Sequence, residues 1–204
     1  VAVEALECPT MLENGFGEHN IQGIGDKHVP LIHNTMNTDF VVDISDRATD
    51  NLTALFNTDA GRAHLRDEMG VPETVVEALP SFGYSSICNM LSAIKVAKQQ
   101  QLGPRDVIAT VATDGFELYE SELEGIIARD HRGTFDRTAA ASVAGAFLEN
   151  VDTADMLECT HADRLRMFNL GYYTWVEQQG VSIEEFSPRR SQGFWVETRE
   201  IVHE

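Results

Sequence analysis

LPSFGYSSICNMLSAIKVAKQQQLGPRDVIATVATDGFELY, residues 79–119, is the stretch on which the fold reading turns. Ser85 or Ser86 can cap a helix. Behind them Ile87, Met90, Leu91, Ile94 and Ala97 recur at the spacing of one buried helical face. Gly103-Pro104 then stops the helix. Val107 to Ala112 is apolar on both faces and rich in β-branched residues, the pattern of a central strand in a parallel sheet covered by helices. Thr113-Asp114-Gly115 lies where that strand would end. Ligands of open α/β sheets bind beyond strand carboxyl ends, so these small polar residues mark a candidate site.

Working outward, Val1 to Leu6 and Asp39 to Ile44 read as further strands. Ser45 or Asp46 caps a helix carrying Ala48, Leu52, Leu55 and Phe56, and Thr58 opens another that runs to Met69 before Gly70 and Pro72. Strands alternating with helices predict an α/β fold with parallel crossovers. Between the first two strands, Glu7 to Pro30 has no sustained period and reads as a long structured loop, a length that is usually functional. From Glu117 onward the sequence predicts helices only. Ala139, Val143, Ala144 and Phe147 lie behind a possible cap at Asp136. Leu165, Phe168, Tyr172, Trp175 and Val176 run up to Gly180. Phe194, Trp195, Ile201 and Val202 follow Ser187-Pro188. The predicted layout is residues 1–125 as part of an α/β domain and 126–204 as a helical extension suited to a dimer interface or a lid brace.

The chain of 204 residues carries a formal net charge of −18, which argues against a nucleic-acid backbone as partner. Its lysines are Lys27, Lys95 and Lys98; an acidic, lysine-poor surface fits either a salty habitat or plain solubility. No apolar run reaches the roughly 20 residues of a membrane span and no basic-then-apolar leader is seen, so a soluble, cytoplasmic protein is expected. Cys8, Cys88 and Cys159 are too widely spaced for a disulfide framework or a CxxC zinc site, and read as buried thiols.

Signals of chemistry are modest when read from residue types alone. Gly15, Gly17, Gly23 and Gly25 share one loop, which either lines a ligand or is simply rich in turns; no dinucleotide or phosphate-loop pattern is present. His19, His28 and His33 with Asp26 match no metal-ligand spacing, and no metal is expected. Cys88 reads as a packed thiol rather than a nucleophile, and Tyr172, Tyr173 and Trp175 as core of the helical tail.

Three stretches together resemble the fold-type II pyridoxal-phosphate enzymes, the cysteine synthase, cystathionine β-synthase and threonine dehydratase group. IQGIGDKHVP (residues 21–30) is similar to their IQGIGAGFIP-type loop. FGYSSICNMLSAIKVAK (82–98) resembles their GISSGAAxAAAxKxAK helix, and VATDGFELY (111–119) their strand ending in PSxGERYL. Order and spacing agree as well. EALECPTMLENGFGEHNIQGIGDKH and RMFNLGYYTWVEQQG further resemble a bacterial subgroup known only as pyridoxal-phosphate-dependent.

The resemblance implies pyridoxal 5'-phosphate as cofactor and β-elimination or β-replacement on an amino acid such as serine, O-acetylserine or cysteine. It places Thr113 at the hydroxyl that meets the pyridine nitrogen, with Asp114 beside it as a rival for the ring, and Gly23, Ile24 and Gly25 along the mouth of the site. A neutral hydroxyl at that nitrogen suits α-proton abstraction followed by β-elimination. Asp26-Lys27-His28 replaces the small and aromatic residues of the family loop, which implies a more polar entrance, and Ile87 stands where the family has glycine. The Schiff-base lysine and the GTGGT-type phosphate cradle are not matched by any segment, and Lys27, Lys95 and Lys98 do not fit that lysine. Hence no catalytic residue is assigned on this chain. The expected partner is an N-terminal half carrying the lysine, as a separate chain or a processed segment, and the completed enzyme would be a homo-dimer. Two alternatives stay open: a serine/threonine dehydratase, and a catalytically silent binding or scaffold subunit that kept the fold.

Overall fold

The computed structural model describes residues 1–202, with side chains through Glu200. The fold is α/β and mostly helical, with a small three-stranded mixed sheet. By their internal contacts the residues form two compact units, one of 1–18, 25–43 and 155–204, the other of 19–24 and 44–154.

In the first unit, β1 (Ala2–Ala5) and β2 (Phe40–Ile44, whose last residue belongs to the second unit) form where apolar strands are expected. The sheet order is β1-β2-β3, and β3 (Met156–Glu158) runs antiparallel to β2 with Val41 opposite Leu157. This third strand corrects the expectation of helices alone after Glu117. The ladder continues past its ends through Asp43 N–H to Asp155 O (2.9 Å) and Cys159 N–H to Asp39 O (2.8 Å). Ala2, Met11, Val29, Val41, Cys159 and Met167 form the core.

Glu4 on β1 is buried, and its carboxyl oxygens accept from the N–H groups of Met11 (3.0 Å) and Leu12 (2.8 Å), which draws the short helix α1 (Thr10–Glu13) onto the sheet. The Glu7–Pro30 loop is therefore not wholly irregular. Thr160 and Asp163 form a reciprocal cap at the start of helix α8 (His161–Tyr172). From α8, Arg164 donates to Thr38 O and Arg166 to Met11 O. The helix continues as a wider π-turn over Tyr173–Gln178, and Gly180 with φ +74° follows it. Tyr173 is exposed rather than core. Short α9 (Ile183–Phe186) and α10 (Gln192–Val202) complete the unit. Phe194 and Trp195 are half-buried; the expectation for the side chains of Ile201 and Val202 falls outside the described residues.

The second unit is built on α2 (Asp46–Asn57), which is buried from Thr49 to Phe56. Ser45 caps it by accepting from Ala48 N–H. Its buried polar residues are satisfied locally, with Thr53 Oγ1 donating to Thr49 O and Asn51 Nδ2 to Arg47 O. Against α2 pack α3 (Asp59–Asp67), α5 (Tyr84–Gln99), α6 (Glu120–Asp130) and α7 (Arg137–Ala144), while α4 (Glu73–Ala78) packs on α3. Thr58 and Asp136 cap α3 and α7 as expected.

Two expectations for the organising stretch are corrected here. Tyr84 begins α5, with Gly83 as the preceding cap residue, and the serines turn to other partners. The buried face of α5 is also rotated: Tyr84, Ile87, Cys88, Leu91, Ser92, Lys95 and Val96 are buried, whereas Met90, Ile94 and Ala97 are half-buried. The larger departure is the expected central strand. Residues 107–112 pair with no strand among the described residues and are exposed, Val107 at 90% and Val111 at 63%. Among the described residues no helix is long and apolar enough to cross a membrane.

Candidate functional site

The head of α5 and the residues after 112 come together in the second unit. Thr113 Oγ1 lies 2.6 Å from Ser85 Oγ and 3.1 Å from Asp114 Oδ1, and the Thr113 N–H donates to Ser86 Oγ (3.2 Å). Gly83 N–H donates to Asp114 O (2.9 Å). The other Asp114 carboxylate oxygen accepts from the Tyr119 hydroxyl at 2.5 Å, and Tyr119 stands edge-on to Tyr84 with ring centroids 4.7 Å apart. Burial, then the hydrogen bond and charge of Asp114, push the Tyr119 phenol up to about 12.

Each hydroxyl has one proton to give. Asp114, as a carboxylate, can only accept, so both of its oxygens are engaged: one by Thr113 and one by Tyr119. If Thr113 gives its proton to Asp114, Ser85 gives its own to Thr113. One lone pair of Thr113 Oγ1 is then left over, on a residue that is solvent-exposed. A Cβ on Gly83 would stand 2.6 Å from Asp114 Oδ1 and 2.8 Å from the Tyr119 ring, so only glycine admits this close approach. The sequence pointed to Thr113 and Asp114, but not to Ser85, Ser86, Gly83 and Tyr119 as their partners. The FGYSS run carried a signal that could be read as a cap and was used as a clamp.

Gly23 and Ile24 belong to the same unit but are held by other contacts. Asp46 at the start of α2 accepts from Asn20 N–H (2.6 Å) and Ile21 N–H (3.2 Å), and Asn20 Nδ2 donates to Asp50, whose carboxylate also takes Arg129 at 2.6 Å. Burial raises the Asp46 carboxyl above its ordinary value, and the two backbone donors oppose the shift. Gly23 (φ +80°) and Gly25 (φ +88°) take the left-handed conformation that glycine tolerates, so the loop has the backbone its sequence predicts. Gly25 falls in the first unit.

The lysines are placed as follows. Lys95 on α5 is buried and donates to Ala154 O (2.6 Å). Lys98 donates to Val151 O, and Lys27 is exposed. Cys8, Cys88 and Cys159 are buried and form no disulfide among the described residues. In that same set no group of His, Cys, Asp or Glu side chains is disposed to hold a metal; His28 pairs with Asp26 and His33 with Thr38. No family model matches the chain, and neither does any curated protein or solved structure.

Proposed function

We propose that this chain is one part of a pyridoxal-phosphate-dependent lyase or transferase acting by β-elimination or β-replacement on a small amino acid, in the manner of cysteine synthases. The observation that carries the reading is the clamp at the head of α5. Thr113 presents an exposed hydroxyl whose position is fixed by Ser85 and Asp114, while Asp114 itself is occupied on both oxygens. Of the two rivals for a pyridine nitrogen, the hydroxyl is the one with a proton to offer: with Ser85 donating to Thr113 Oγ1, the Thr113 proton can turn from Asp114 to the ring nitrogen, and a donating hydroxyl leaves such a nitrogen largely unprotonated. The residues fit the pyridine end of the cofactor. They do not fit its aldehyde end, because Lys95 and Lys98 are committed to backbone carbonyls.

When bound, pyridoxal phosphate withdraws electrons from the substrate Cα, so that the α-proton can be lost and the β-substituent can leave. This chain would hold the ring nitrogen through Thr113 and offer the backbone of Gly23 and Ile24, in the same unit, as a wall toward the substrate. A partner N-terminal half would bring the lysine and the phosphate cradle, and two completed copies would form the homo-dimer. Support for such completion comes from residues 107–112, a β-prone apolar run left exposed and without a ladder. An exposed β-prone run of this kind offers unpaired backbone N–H and C=O groups on which a further strand can pair. A catalytically silent subunit is the second reading, favoured by the engagement of Lys95 and Lys98.

Substitution of Thr113 separates the two. In the complex of this chain with its lysine-bearing partner, Thr113→Ala is expected to shift the cofactor absorption band and lower turnover by at least about tenfold, the worth of one hydrogen bond. Thr113→Ser is expected to restore both. An unchanged spectrum and turnover in Thr113→Ala would refute the assignment.

A further inference from the structure

Exposed apolar residues are unevenly spread over the chain. Among the described residues twelve large apolar side chains are exposed, and five of them, Leu102, Val107, Ile108, Val111 and Leu118, fall within one short stretch of the second unit. Single exposed apolar residues are ordinary, whereas a concentration of this kind marks an interaction surface.

From Asp106 to Gly115 the chain is neither helical, turned nor bent. Side chains of such a chain alternate between two faces, and the backbone N–H and C=O groups of every second residue share one edge. The edge of the odd-numbered residues is partly taken. Val111 O accepts from Asn89 Nδ2 (2.9 Å) and Thr113 N–H donates to Ser86 Oγ (3.2 Å), both on α5. The edge of the even-numbered residues is open: the backbone N–H and C=O groups of Ile108, Thr110 and Ala112 make no hydrogen bond among the described residues, and all three residues are exposed. Donors and acceptors in this register are what a strand of another chain pairs with when it extends a sheet.

Charge narrows the occupant. Asp106 stands before the run and Asp114 and Glu117 after it, against one nearby cation, Arg105. Asp106 accepts from Gly103 N–H and Asp114 from two hydroxyls, so neither charge is neutralised by these bonds. A formal net charge of −18 on each copy opposes pairing of the run with itself. A strand with apolar residues inside and lysine or arginine at its ends is complementary in both respects.

We infer that residues 107–112 dock, along the edge of Ile108, Thr110 and Ala112, on an exposed sheet-edge strand of a different polypeptide, one with apolar residues at alternate positions and basic residues at its ends. The inference goes beyond the pyridoxal-phosphate reading, which asks of a partner its lysine and phosphate cradle; the pairing needs no cofactor and stands without that reading.

The test uses the full chain without cofactor and two synthetic strands, acetyl-Lys-Val-Thr-Val-Thr-Val-Lys-amide and its counterpart with glutamate at both ends, followed by calorimetry and by amide hydrogen exchange read by NMR. Saturable binding of the lysine strand is expected, with exchange slowed at Ile108, Thr110 and Ala112 and unchanged at Ala109 and Val111. The glutamate strand should bind about tenfold more weakly at low salt, and the gap should narrow as salt screens the ends. Two prolines locate the edge. Thr110→Pro removes a donor from the open edge and puts a ring in the partner's path, and should weaken the lysine strand at least about tenfold. Ala109→Pro, whose ring lies on the other edge, should leave its affinity within about threefold. Neither N–H is bonded within the described residues, so both variants should melt at the temperature of the unmodified chain. No saturable binding, equal affinity for the two strands, protection of Ala109 and Val111 in place of their neighbours, or equal effects of the two prolines would each overturn the proposal. So would a concentration-dependent dimer that Thr110→Pro abolishes, since the occupant would then be a second copy of this chain.

Discussion

Replacing Tyr119 with phenylalanine deletes one oxygen atom and leaves the ring that packs edge-on to Tyr84. The lost contact is the 2.5 Å hydrogen bond to Asp114. Hydrogen bonds to charged groups contribute about 1.5–3 kcal/mol, and the lower part of that range applies because Asp114 is only half-buried. A loss of about 1.5–2 kcal/mol at neutral pH is therefore expected, read as a lower urea midpoint by far-UV circular dichroism. The pH dependence gives a second, independent readout. The phenol is raised from its usual 10 to about 12 in the folded chain, by burial first and by Asp114 second. A group raised on folding contributes stability that is intact below 10 and is lost as pH climbs through about 12. That displacement corresponds to at most about 2.7 kcal/mol. The unmodified chain should lose stability across that window, and Tyr119→Phe should lack this part of the decline. Equal midpoints at neutral pH, or identical decline above pH 10, would refute the Tyr119–Asp114 clamp.

Helix propensity favours Gly61→Ala by about 1 kcal/mol, but the added Cβ would lie 2.0 Å from Leu55 O, so the close contact of α2 with α3 should lose about 2 kcal/mol net, seen as a lower unfolding midpoint. Burial raises the Glu4 carboxyl above its ordinary value, against the opposing pull of the Met11 and Leu12 N–H groups. Glu4 therefore contributes stability that is full below 4.5 and falls as pH rises through its folded value; Glu4→Gln should flatten that decline in a pH series of urea midpoints.

Much of the local structure was legible because its determinants are local. Ser45, Thr58 and Asp136 announce helix starts that they do cap, and β1 and β2 stand at the short apolar runs that announce them. β3 was not legible: Met156–Glu158 is too short for alternation to show, and it is a strand because β2 offers it an edge. The reverse holds for residues 107–112, whose composition states a demand for strand partners that the chain's own sheet does not meet. On α5 the apolar stripe predicted one face, but Lys95 is buried with its ammonium on Ala154 O, while Met90 and Ile94 are half-buried. The candidate site was half legible. Thr113 and Asp114 stood out as small polar residues after an apolar run, whereas the partners that fix them lie about thirty residues upstream and are joined to them only by folding.

The central claim is that this chain contributes the pyridine end of a cofactor site whose lysine lies outside it. Borohydride reduction of the native assembly, followed by denaturing intact-mass spectrometry, tests it most directly. The expected result is this chain at its unmodified mass together with a second polypeptide carrying a reduced pyridoxyl adduct. An adduct on Lys27, Lys95 or Lys98, or no adduct on any polypeptide, would contradict it.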